Sequence, residues 1–477
     1  MQRTLLSGGD VIGFDGSRHI RIPNAELVFY GDKIEYVGPK YTVSPDRPVH
    51  ETIDTTGYLV MPGLVNMHLH VTDTAFTKGW LDNYCADVST LASTNVTALY
   101  RLLPAVRGAT KAEDQLAAAE CAFAELLLSG STTVVELSFD AEMGDGGDMT
   151  TVKGTAGIAG DLGLRCYMGP RYRNSYWRLG SDNSPAYFDY EDPVRRMHDC
   201  FDFCDEIDGS YGGRLRGMLA PGQVDTCSAE TLRSTRRQAD KTGFPIQIHA
   251  GQSPSEFRRI KSLHNRSTLE FLDDVGLLGP DFVIGHGMFL SESGDVLDCN
   301  ANELGRLRDS GTHIAHLPWV KARQGTIMQS LSKYLRNGVS MCLGTDTYPF
   351  DMFAEMKMAT TMCRVAEKSP SAIAAEDVFY AATIGGASAL NRDDLGRLAP
   401  GCQADIVLLD IRKPHATPMV DPIKHIVLSA RADDVDTVII AGKKVVINRR
   451  LANGDLAASL DRLTAAHHRV TARVNLG

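Results

Sequence analysis

Five polar residues close apolar runs of strand length and have the types that hold a metal ion: His68, His70, His249, His286 and Asp346. The first two end Met61-Pro62-Gly63-Leu64-Val65-Asn66-Met67-His68-Leu69-His70. Side chains two apart on an extended chain point the same way, so both imidazoles can be presented to one point. His249 ends Pro245-Ile246-Gln247-Ile248-His249, and His286 ends Phe282-Val283-Ile284-Gly285-His286. Asp346 ends Val339-Ser340-Met341-Cys342-Leu343-Gly344-Thr345-Asp346. Each histidine taken singly reads as a satisfied structural residue. Four histidines and an aspartate at the same end of their strands point to a divalent ion. Three imidazoles and one carboxylate would fill four positions and leave a further one for water, whose pKa the ion lowers towards neutrality. A carboxylate beside the ion can take the water's proton, and a nearby histidine can hold the nucleophile or polarise the electrophile.

Positioning those groups needs a regular frame, and the middle of the chain supplies its pattern. Eight apolar strands are expected. One runs into His68, and others cover residues 131–136, 164–168, 215–220, 245–249, 282–286, 312–316 and 339–346. Helical stretches separate them; residues 113–129 form one that ends at Gly130. Repeated strand and helix with buried-type strands implies a parallel sheet, and eight units suit a TIM-like barrel whose strand ends gather at one mouth. Residues 1–60 read instead as short strands with a hairpin turn at Gly31-Asp32-Lys33, and residues 404–410 and 437–446 are strands again. Neither end has enough strands alone. The reading is an α/β fold: a small β-sandwich from both termini (1–60 and 396–477, the latter with a C-terminal helix) around a metal-dependent (β/α)8 barrel at 61–395.

The 477 residues are 43% hydrophobic and 23% charged with net charge −10, long enough for a large core and without the basic surface that attracts nucleic acid. No apolar run reaches membrane-spanning length. The ten cysteines are scattered, with no zinc-knuckle spacing. The expectation is a cytoplasmic enzyme, a homo-oligomer (dimer or tetramer), acting on a small molecule without nucleic-acid or membrane partners.

The stretch from Met61 to His70 resembles the first-strand signature of the amidohydrolase superfamily. Leu343-Gly344-Thr345-Asp346 with Asp351-Met352-Phe353-Ala354-Glu355-Met356-Lys357 resembles its last-strand segment. Ala382 to Leu390 and Gly396 to Val407 resemble its return to the β domain. The similarity spans nearly the whole chain and is greatest to the cytosine deaminase-like and triazine hydrolase branch. It implies that His68, His70, His249 and Asp346 bind one divalent metal, zinc first among zinc, iron, cobalt and manganese. It places His286 beside the bound water and substrate and makes Asp346 the general base. The lysine that bridges two metals in many members is missing from the fourth strand, Arg214 to Pro221, which favours one ion.

Two departures bear on the substrate. Deaminases of the branch carry glutamate three residues after the fifth-strand histidine, where this chain has Gln252. An amide donates a hydrogen bond but relays no proton. Glu256, one helical turn on, is an alternative source, although a first-turn glutamate is ordinarily an exposed residue complementing the helix dipole. After strand seven the sequence is His316-Leu317-Pro318-Trp319-Val320-Lys321-Ala322-Arg323 where nucleoside deaminases have a polar run, and the loop after Asp346 is short. Trp80, Tyr84, Arg171, Tyr172, Arg173, Trp177 and Trp319 fall in expected mouth loops, with aromatics to stack a flat substrate and arginine to hold a carboxylate. His316 is expected to face the pocket and His313 to be structural. The function implied is hydrolysis of a non-peptide carbon–nitrogen bond in a heteroaromatic or amide-like molecule. The alternatives are a purine-, pyrimidine- or pterin-type ring deaminase, a triazine-type chlorohydrolase, and, from another class, a non-catalytic scaffold on the same fold.

Overall fold

The protein is described from a computed structural model, which covers residues 2–78, 98–137, 149–180, 184–293, 296–298, 300–328 and 330–475. Trp80 and Tyr84 lie outside the described residues.

The chain folds as a barrel with a β domain. Two four-stranded parallel sheets make the frame. One runs Leu215–Gly217, Arg165–Met168, Ser131–Glu136, Leu64–Leu69; the other runs Ile246–Ala250, Phe282–His286, His313–His316, Ser340–Leu343. All eight lie where the alternation of apolar runs places them. Single parallel bridges join the two sheets at both seams, Leu69 to Asp346 and Leu219 to Ile246. At the first seam Asp346 N–H donates to the carbonyl of His68 (2.9 Å), and His70 N–H donates to that of Asp346 (3.0 Å). Val65, Met67, Val135, Tyr167, Met218, Val283, Ala315 and Cys342 come from seven of these strands or their ends and form one buried cluster between the sheets. At the rim this apolar filling gives way to histidine.

Strands from both termini make the β domain, joined in one nine-stranded sheet. The expected sandwich is thus a single sheet in its hydrogen bonding, because Tyr58–Pro62 pairs with Ile406–Asp410 and stitches the two ends of the chain together. Leu6, Leu27 and Phe29 from one half of the sheet pack with Ile406, Leu408 and Ile439 from the other. Gly63 follows directly and begins the barrel. A Cβ there would sit 2.0 Å from Thr132 Oγ1, so only glycine lets the chain pass from sheet to barrel so close to the second strand. The C-terminal helix Leu456–Arg473 packs on the barrel helix Ala112–Leu128, where Ala466 and Val470 meet Ala117 and Ala118. Arg469 and Arg473 clamp the buried Asp114 there.

Candidate metal centre and active site

His68 and His70 stand at the end of Leu64–Leu69, His249 near the end of Ile246–Ala250, His286 at the end of Phe282–His286, and Asp346 three residues past Ser340–Leu343. The structure brings all five together. His249 Nε2 lies 3.1 Å from both His68 Nε2 and His70 Nε2. Asp346 Oδ1 is 3.3 Å from His70 Nε2 and 3.7 Å from His68 Nε2. The ring centroid of His286 lies 5.5 Å from that of His68. No more than 6% of any of the five is exposed.

The other ring nitrogens fix what those Nε2 atoms carry. Gln247 donates through Nε2 to the carbonyl of Met67 (2.9 Å), which turns its Oε1 to His68 Nδ1 (2.5 Å). His68 therefore donates from Nδ1. His249 Nδ1 donates to the carbonyl of Gly222 (2.9 Å). In neutral imidazole the second nitrogen is then an acceptor. Two lone pairs thus face each other 3.1 Å apart with no proton between them, an arrangement that repels unless a cation joins it. Zinc–nitrogen bonds of about 2.0–2.1 Å span that separation, so the donor set fits a divalent ion.

The electrostatics agree. Burial pushes His68 down to about 3, and His249 and His286 well below the ordinary imidazole value; neutral imidazole is the ligand form. Burial alone would raise Asp346, but the hydrogen bond with His70 and the charges of His286, His70 and His68 hold its carboxyl well below the usual range. Neither ring nitrogen of His286 has a hydrogen-bond partner among the described residues. His286 and Asp346 also have left-handed backbones, φ 77° and 60°. Such a backbone costs a non-glycine residue about 1–3 kcal/mol, and strain of this kind clusters at functional sites. Gly285 makes room for the His68 ring: a Cβ there would meet His68 Cε1 at 2.7 Å.

Above this floor the pocket is walled by Asp73, Thr74, Thr77, Leu103, Arg107, Arg171, Trp177, Gln223, Gln252, Val320, Lys321, Gln324 and Thr347. Of the residues expected to contact substrate, Gln252, Arg171 and Trp177 line this pocket. Trp319 is not on the wall: it is half-buried, its N–H donates to Glu355 (3.1 Å), and its neighbours Val320 and Lys321 line the pocket instead. His316 lines a separate small cavity with Met328, Leu331 and Cys363. Tyr172 is core, its hydroxyl paired with Thr235. His313 is structural as expected, held by Pro280 and Ser340. Glu256 overturns the exposed reading. It is fully buried and accepts from Gly251 N–H (2.6 Å), Gln252 N–H (3.2 Å) and Gln223 Nε2 (3.1 Å), and burial followed by Asp225 pushes it up to about 8. Sequence reasoning also missed Asp73 with its partner Arg107, and Lys321. No local signal in the sequence marks Lys321 as turning inward.

A barrel whose strand ends converge on such a donor set defines a metal-dependent hydrolase. The chain belongs to the amidohydrolase family, whose model matches residues 59–445. It is 28% identical to a 5-methylthioadenosine/S-adenosylhomocysteine deaminase of Pyrococcus abyssi, over 96% of this chain and 97% of that one. It is 31% identical to a 5'-deoxyadenosine deaminase of Methanothermobacter thermautotrophicus, over 84% and 85%. Among solved structures, a zinc-bound adenosine deaminase from Xanthomonas campestris superposes with a TM-score of 0.81 at 21% identity, covering 98% of each chain. A zinc complex of an atrazine chlorohydrolase from Arthrobacter aurescens gives 0.81 at 23% identity, covering 97% of this chain and all of that one.

Proposed function

We propose that this pocket hydrolyses a carbon–nitrogen bond of a small heteroaromatic or amide-like substrate, on a (β/α)8 barrel that holds one divalent ion, zinc first. His68, His70, His249 and Asp346 would hold the ion. Bound there, it would lower the pKa of a coordinated water towards neutrality. The Asp346 carboxylate takes the proton of the attacking water and delivers it to the leaving nitrogen. His286, with both ring nitrogens unpartnered, holds the substrate beside it. The observation that carries this reading is the pair of bare Nε2 atoms on His68 and His249, 3.1 Å apart. Elemental analysis of the purified protein, with ammonia release measured on a panel of amino-substituted heterocycles and amides, tests it. About one equivalent of metal and turnover on the panel are expected. Protein without stoichiometric metal would defeat the reading and favour the scaffold.

Ring deamination is the second reading, favoured by the adenosine-type deaminases at 28% and 31% identity. Gln252 cannot give the ring its proton. Glu256, which accepts from Gln252 N–H and is raised to about 8 by burial and then by Asp225, is a carboxyl there with a proton to give at neutral pH. Release of ammonia from adenosine analogues, lost in Glu256→Gln, separates this from amide hydrolysis.

The division at residues 60/61 and 395/396, a cytoplasmic site of action and a dimer or tetramer complete the reading. The eight described cysteines are all buried free thiols, in keeping with a reducing compartment, and light scattering tests the oligomer.

A further inference from the structure

The pocket wall carries three cations among the described residues, and they are not equivalent. Arg107 is ion-paired with Asp73. Arg171 is buried and feels Asp73, Glu136 and Asp346 together. Lys321 differs from both. Only 3% of it is exposed, yet its ammonium has one partner, the neutral backbone carbonyl of Gln252 at 3.2 Å. No described carboxylate lies within ion-pairing distance of it. Three donors, one acceptor and no counter-ion is an expensive state for a buried ammonium.

The groups that face Lys321 do not supply the missing charge. Asp346 and Glu256 act on it at longer range. Asp346 is already committed to the histidines, and Glu256 is partly neutral near pH 7, since burial pushes it up to about 8. Glu355, on the packed helix Met352–Glu367, is driven well above the carboxylate range by burial and accepts from Trp319 N–H. His286 is neutral. A divalent ion at the histidines would add positive potential and worsen the imbalance. Lys321 and Gln252 line the same pocket as His249 and Asp346, so a bound molecule can reach the ammonium and the reacting centre at once.

We propose that Lys321 is the anchor for a carboxylate on the substrate, so that the natural substrate is an acid rather than a neutral base or nucleoside. This deepens the hydrolase reading and rests on it for the identity of the pocket. The carboxylate fills the empty donor positions of the ammonium, and its charge offsets both the ammonium and the ion. Burial pushes Lys321 down to about 8; acid binding should therefore weaken as the pH rises through 8.

Binding rather than turnover tests this, which keeps its failure separate from failure of the hydrolase reading. Benzoate and benzamide are titrated calorimetrically into the zinc-loaded protein, Lys321→Met and Lys321→Arg, with zinc content checked in each. The parent should prefer benzoate by at least ~10-fold, the scale of a hydrogen bond to a charged group. Lys321→Met should lose that preference with its zinc intact, and Lys321→Arg should keep most of it. Benzoate affinity should fall with rising pH in the parent, by pH 8 at the latest since the bound ion lowers the ammonium's pKa further, and stay flat in Lys321→Met. Equal affinity for the two probes, no measurable benzoate binding, or undiminished benzoate binding in Lys321→Met would each overturn the inference. So would a Lys321→Met protein that loses kcat on a panel substrate while binding benzoate normally, since that marks a proton donor. Protein purified without stoichiometric metal, but with benzoate binding still dependent on Lys321, would defeat the hydrolase reading alone.

Discussion

The floor and the wall of this pocket are built by different means. The floor is strand ends: His68, His70, His249 and His286 stand on or beside the two parallel sheets, and the imidazoles of His68 and His249 are locked by hydrogen bonds to Gln247 and Gly222. The wall is short helices and turns, Thr74–Thr77, Leu103–Ala109 and Pro318–Arg323 among them. Its charged groups depend on one another, as Asp73 does on Arg107, or on what binds, as Lys321 does. In this fold the sheet fixes the chemistry and the loops choose the molecule. Substitutions in the floor should therefore change metal content and turnover. Those in the wall should change affinity and leave the metal alone.

The largest effect is expected at the floor. Asp346→Asn removes the carboxylate proposed as base and metal ligand, so turnover should fall by about 10²–10⁴-fold or more. Asparagine tolerates the left-handed backbone that position 346 adopts, and the circular dichroism and melting curve should stay native. A fully active Asn variant refutes the role. Gln247→Leu comes next. It touches no substrate but frees the tautomer of His68 and strands the carbonyl of Met67. Zinc affinity should drop about 10–100-fold, read by competition with a chelator; unchanged affinity would mean that the hydrogen bond does not orient the ring. Gly285→Ala attacks the same ring sterically through the 2.7 Å approach to His68 and should cost about 1–3 kcal/mol of stability together with metal. At the wall, Trp177→Leu should raise KM on whichever panel substrate is turned over by about 3–10-fold, with kcat and zinc content unchanged. Loss of zinc in that variant would erase the distinction between floor and wall.

The same contrast decides what could be read from the sequence. The floor was legible because a strand has a short repeat, its length is bounded by apolar residues, and a histidine or aspartate closes each of the four runs that carry the donors. The eight strands and the convergence of His68, His70, His249, His286 and Asp346 follow from that. The wall was not, because a residue after a turn has no periodic reference. Trp319 and Lys321 sit two apart on a six-residue helix, and nothing local says which turns inward. His316 shows the limit at the strand itself, since it lines a separate small cavity with Met328 and Cys363 and is not on the wall of the pocket. Glu256 misled for another reason. A glutamate at the third position of a helix is ordinarily solvated, but here the Gly251 turn folds its own N–H groups over that carboxyl. Burial then comes from tertiary placement, which spacing does not encode.

Glu256 offers the finest test, because it lies behind the wall and beneath the floor's fifth strand and belongs to neither. In the native protein its carboxyl titrates near 8, whereas in the unfolded chain it titrates at the ordinary 4.5. Between those values the native state keeps a proton that the unfolded state gives up. Its contribution to stability is therefore greatest below pH 4.5, declines as the pH rises, and is gone above 8. Glu256→Gln cannot ionise, so the variant lacks this decline. Its melting temperature should gain on the parent's steadily between pH 4.5 and 8, with both proteins kept metal-free so that ligand protonation does not enter. Asp225 is also raised by burial and shares its field with Glu256, so the comparison is repeated with Asp225→Asn in both proteins to isolate residue 256. A gap that stays constant with pH would mean that Glu256 is already ionised in the folded protein, and ring deamination would then lose the proton that it needs behind Gln252.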